Sequence, residues 1–190
     1  MTQKITKTTE LKINRAPVLT LWTAVVAERL GFAHDEALSL GRAVAGLNAY
    51  AKGVSLGLFT PTPKEVKRQR QRMQATETMS VDLLQRAVPA QQTEAGLRAL
   101  SKDRPVHPEG VQRYLESKFG EALPEVYQAM VQLAQSRSPA RLAAEAYHLY
   151  EQFRPQVPAG VKGWGAAGIL RLETLHRLAE AAASEAEQRP

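Results

Sequence analysis

The stretch ATETMSVDLLQRAVPAQQTEAGLRALSKDRPVH, residues 75–107, decides the fold, because the chain on either side of it reads as helix. Ala75 to Met79 is soft, Ser80 is placed as the N-cap of a short helix through Leu83, Leu84 and Ala87, and Val88-Pro89 ends that element. A second short helix fits Thr93 to Ser101, and Lys102 to His107 reads as a polar, proline-punctuated connector. No alternating run here is long enough for a strand; alternation of that kind is confined to Glu10–Asn14. The expected fold class is therefore all-α.

On the N-terminal side, Pro17 suits a first helical position and Gly31 a stop, so residues 17–30 predict a helix. Its apolar residues, Val18, Leu19, Leu21, Trp22, Val25, Val26 and Leu30, wrap most of its circumference, which calls for burial on several sides. A second helix follows near residues 35–52, with Asp35 and Glu36 in the first turn where the helix dipole favours acids. Its Gly41, Ala43, Ala45, Gly46 and Ala49 would let a partner backbone come close. Thr62, Pro63 and Glu65 make a capping box that starts a further helix at residue 63.

On the C-terminal side, Pro108, Pro124 and Pro139 each open a helix, the last capped by Ser138. A final helix runs from about Ala167 to Glu185 after a glycine-rich loop. The organisation expected is an N-terminal tail plus hairpin (1–58), a basic linker helix with short helices (59–107) and a C-terminal bundle of about four helices (108–190).

Composition sets outer limits. With no cysteine among 190 residues, a disulfide scaffold, a thiolate zinc site, a cysteine nucleophile and an iron–sulfur cluster are all excluded. The net charge of +6 and isoelectric point near 9.7 invite a polyanion partner. That charge is local: residues 1–15 carry Lys4, Lys7, Lys12 and Arg15 against Glu10, and residues 61–74 carry Lys64, Lys67, Arg68, Arg70 and Arg72 against Glu65. The rest of the chain is close to neutral. The polar, charged N-terminus lacks the apolar stretch of a signal peptide, and the run Val18–Leu30 is short of the roughly 20 residues needed to span a bilayer, so a cytoplasmic protein without membrane contact is expected.

Four constellations could carry chemistry. The segment Val26-Ala27-Glu28-Arg29-Leu30-Gly31-Phe32 resembles the first helix and turn of helix-turn-helix repressors, where a small residue sits four positions before a turn glycine because two helices touch there. Ala27 and Gly31 keep that spacing, and Phe32 and Leu40 fall where apolar residues belong; the likeness covers residues 26–50. It implies a second helix that reads bases, yet this one leads with Asp35 and Glu36 and offers only Ser39 and Arg42, so a packing or self-associating hairpin is the preferred reading. In the basic helix, Lys64, Arg68 and Arg72 at i, i+4 and i+8 form one stripe flanked by Lys67 and Arg70. No acid follows Glu65 until Glu77, so an external anion suits the stripe.

Residues 160–168 hold four glycines in nine positions, and Gly163-Trp164-Gly165-Ala166-Ala167-Gly168 matches G-x-G-x-x-G. The dinucleotide fingerprint needs a buried strand before it, which Arg154-Pro155-Gln156-Val157-Pro158 does not supply. The stretch also resembles a helix-hairpin-helix DNA element, with Ile169 where that family has alanine. Bare amides before a helix, with Lys162 beside them, suit an anion on physical grounds alone. Finally, Glu145/His148 and Glu173/His176 repeat the Glu-x-x-His spacing of carboxylate di-metal bundles, but periodicity turns both pairs towards solvent.

The functional expectation is a non-enzymatic protein that binds nucleic acid, DNA favoured, through Lys64, Lys67, Arg68, Arg70, Arg72, Arg42 and Lys162, with no catalytic residues, metal or cofactor. The alternative is an interaction or regulatory module forming a homodimer through residues 17–52, with Trp22 and Val25 facing a second copy.

Overall fold

The structure is a computed structural model and describes residues 10–57, 60–61, 63–74, 78–161 and 165–187, with backbone only for 70–74. In chain order the elements are β1 (Glu10–Ile13), α1 (Arg15–Arg29), α2 (His34–Ser55), α3 (Lys64–Gln74), β2 (Thr78–Leu83), β3 (Arg86–Thr93), β4 (Gly96–Ser101), β5 (Arg104–Pro105), α4 (Pro108–Phe119), a 3-10 turn (Gly120–Ala122), α5 (Leu123–Gln135), α6 (Pro139–Phe153), β6 (Gly168–Arg171) and α7 (Leu172–Glu187).

The all-α expectation is overturned by two antiparallel sheets, a four-stranded meander ordered β2-β3-β4-β5 and a two-stranded β1-β6 ribbon. The fold is α+β. Residues 80–87 and 93–101 are not helices but belong to the meander, in register Val81↔Val88 between β2 and β3 and Gln91↔Arg98 between β3 and β4. Two of its turns are two-residue connections in which both residues take positive φ, Leu84 (47°) with Gln85 (60°) and Lys102 (49°) with Asp103 (64°). That is the geometry that matches strand twist, normally announced by Asn-Gly or Asp-Gly. Here no glycine announces it. Alternation fails as well, because four consecutive residues of β4, Leu97 to Leu100, are buried, Arg98 among them, so this stretch has no solvent-facing side.

The final helix also starts later than Ala167, since Gly168–Arg171 pairs with Glu10–Ile13 through Glu10↔Arg171 and Ile13↔Gly168. Gly168 permits this: a Cβ there would stand 2.8 Å from the Gln156 carbonyl oxygen. The strand expected at Glu10–Asn14 is present as β1.

Helix α1 is the central element, with every residue from Pro17 to Ala27 buried. Its all-round apolar surface meets α2, α5 and α6. The Trp22 indole donates to the Ala146 carbonyl at 2.8 Å and stands edge-on to Phe153 at 5.3 Å, which pins α6 to α1. Gly41 brings α2 onto α1, because a Cβ at that position would sit 2.4 Å from the Thr20 carbonyl oxygen. The first turns of α2 then satisfy β4: Leu97 N–H donates to Glu36 Oε1 at 3.0 Å and Ala99 N–H donates to Ser39 Oγ at 3.1 Å. Backbone donors on the stretch of β4 that the short β5 does not reach are thus met by helix side chains rather than by another strand.

Candidate functional site

Helix α3 follows Pro63 and carries the basic stripe at helical spacing. All described residues from Pro63 to Gln69 are exposed, so this helix buries none of its described side chains. Lys64 and Arg68 lie one turn apart with Lys67 beside them, and among the described residues none of their side chains enters an ion pair. The side chains of Arg70 and Arg72 lie outside the described residues.

Arg42 is on α2, exposed, with its guanidinium carbon 4.5 Å from the centre of the Tyr114 ring on α4. Lys118 approaches the same ring at 6.0 Å, so one tyrosine face system gathers two cations. Tyr114 and Lys118 were not found from the sequence, although their i, i+4 spacing on α4 was the available signal. The tail adds exposed Lys12 on β1 and half-buried Arg15 at the start of α1, while Lys4 and Lys7 lie outside the described residues. Arg15 Nε donates to the Pro155 carbonyl at 3.1 Å. Burial first, and the neighbouring charge of Arg154 second, hold its guanidinium below the usual arginine range. Lys162 lies outside the described residues, as does the centre of the glycine-rich loop.

Of the seven candidate residues, four have described side chains. The structure puts Lys64, Lys67 and Arg68 on α3 and Arg42 on the α2–α4 face. The start of α2 is not open to a base edge, since Ser39 is fully buried and spends its hydroxyl on Glu36 and Ala99. Trp22 and Val25, put forward for self-association, are 0% and 3% exposed and covered within the chain.

A second polar constellation went unread in the sequence. Glu28, near the end of α1, accepts from the Tyr127 hydroxyl at 3.1 Å through one oxygen and meets His34 Nδ1 at 3.0 Å through the other. Burial, reinforced by the charge and hydrogen bond of Glu28, raises the Tyr127 hydroxyl above its ordinary range and keeps it a donor. His34 and Tyr127 are six and ninety-nine positions from Glu28, so no local pattern could have joined the three.

The Glu-x-x-His pairs are not assembled. The Glu145 carboxylate is held by Arg141 at 2.8 Å and Arg137 at 3.1 Å, and the Arg141 hydrogen bond is the main reason its carboxyl lies below the usual range. His148 and His176 are exposed, and among the described residues no three His, Asp or Glu side chains stand close enough to share a metal. Among the described residues no helix is long and apolar enough to cross a membrane. Comparison with protein-family models, with curated proteins and with solved structures finds no match to this chain.

Proposed function

We propose that this is a non-enzymatic nucleic-acid-binding protein, duplex DNA its favoured partner, which contacts phosphates through α3 and the N-terminal tail. The observation that carries the reading is the exposed stripe of Lys64, Lys67 and Arg68 on a helix that buries none of its described side chains and pairs none of these cations with a described carboxylate. An isolated helix of 11 residues is marginal in water, so a polyanion laid along it supplies what the body of the protein does not. Nothing in the exposed set favours base readout, and the mechanism is charge neutralisation and counterion release. The location that goes with this reading is the cytoplasm, as expected from the charged, polar N-terminus.

The test is affinity for duplex DNA against salt. If Lys64, Lys67, Arg68, Arg70 and Arg72 each neutralise one phosphate, log K falls against log salt with a slope of about −4.5 from these five alone. Changing all five to Gln flattens the dependence by that amount. Unchanged affinity and slope in the folded variant would sink the proposal.

A further inference from the structure

Between the last turns of α1 and the face of α5 lies a cleft of about 340 Å3, at the small end of the roughly 300–1,000 Å3 typical of ligand pockets. Its lining is apolar at half-buried Val131, with the almost wholly covered Val25 and Ala134 beside it, and polar at Glu28, Arg29, Tyr127 and Gln135. Arg29 is half-buried, yet among the described residues its guanidinium makes one hydrogen bond, from Nη2 to the Arg137 carbonyl at 3.1 Å, and no ion pair. Its Nε is buried without a partner. With Nε shut off from solvent without an acceptor and one protein bond to the rest of the guanidinium among the described residues, the group Arg29 lacks is an anion.

Glu28 stands in sequence beside Arg29 and is fixed differently. Tyr127 and His34 each take one of its oxygens, which orients the carboxylate and leaves each oxygen a second lone pair. The cleft therefore presents one positive charge, one negative charge and an aliphatic strip. A simple carboxylate is attracted by Arg29 and repelled by Glu28, and a simple amine meets the reverse. A zwitterion satisfies both.

We infer that the cleft binds a small aliphatic α-amino acid, its carboxylate on Arg29, its ammonium on Glu28 and its side chain against Val131. This assignment is independent of the nucleic-acid reading. It uses no residue of α3.

Calorimetric titration of the intact protein with four probes tests it: L-leucine, glycine, 4-methylpentanoate, which is leucine's skeleton without the ammonium, and 3-methylbutylamine, which lacks the carboxylate. The expected result is saturable one-to-one binding of leucine, with the other three at least tenfold weaker. Arg29→Gln and Glu28→Gln, each checked for an unchanged circular-dichroism spectrum, should each weaken leucine at least tenfold. No saturable heat with leucine would overturn the inference, as would 4-methylpentanoate binding as tightly as leucine. Those two outcomes are read on the unaltered protein and stand even if a variant fails to fold.

Discussion

Tyr150 shows how a single residue couples the core to solution conditions. Its ring stands edge-on to Phe153 at 5.8 Å and its hydroxyl reaches the Arg15 carbonyl at 3.4 Å, with the residue 2% exposed. Burial pushes the hydroxyl up to about 12, against the opposing pull of Arg15 and Arg154. An unfolded tyrosine ionises near 10, so folding holds the proton more tightly than the open chain does. The stabilisation is complete below about pH 10 and is lost as pH rises through the folded value, a total of roughly 2–3 kcal/mol. Urea midpoints should fall between about pH 10 and 12, and in Tyr150→Phe that part of the decline should vanish. Parallel pH profiles for the two proteins would exclude Tyr150 as the cause. At the same scale, Gly41→Ala should destabilise by about 1–3 kcal/mol in urea unfolding, because the added methyl meets the Thr20 carbonyl. That contact was half legible: small residues on α2 signal a close helix pair, while which glycine touches which carbonyl depends on the crossing geometry.

At the scale of elements, prolines and caps are local signals: Ser138 accepts from Arg141 N–H at the start of α6, and Pro108 and Pro124 each stand in the first turn of their helices, whereas Ser80, read as an N-cap, lies in β2 and Thr62 lies outside the described residues. The meander is the opposite case. Leu84 and Gln85 take the same left-handed backbone for different reasons, since Leu84 is 2% exposed and its burial offsets the strain, whereas Gln85 is exposed. Gln85→Gly should therefore raise stability by about 0.5–1 kcal/mol by relieving the left-handed strain. Leu84→Gly, at almost the same φ, should lower it by roughly 2–5 kcal/mol through lost core packing. Chemical denaturation of both variants checks the pair, and equal signs would refute the assignment of Leu84 to the core. A hairpin whose turn is fixed by a buried leucine cannot be seen from the turn residues, because the reason for the turn lies in the core the leucine enters.

Over the whole molecule, stability is unevenly spread. Buried residues from Ile13 on β1 to Leu175 on α7 belong to a single hydrophobic cluster centred on α1, while the described part of α3 adds nothing to it. Amide hydrogen exchange should therefore show α1 opening only with global unfolding and residues 64–69 exchanging fast in the free protein, then slowing when duplex DNA is added. Slow exchange of residues 64–69 without a partner would contradict a helix that depends on one. The sequence by itself determined the helices flanking residues 75–107, apart from the late start of α7, the burial of α1 on all sides and the concentration of positive charge in the tail and α3, because periodicity, caps and charge are carried by neighbouring residues. Only the tertiary structure decided that residues 78–105 are strands, that Ser39 and Glu36 are committed to β4, and that Glu28, His34 and Tyr127 converge at one cleft. Those outcomes depend on which distant surface each residue meets, and packing against a helix overrode the local preference of short apolar runs that read equally well as helix or strand.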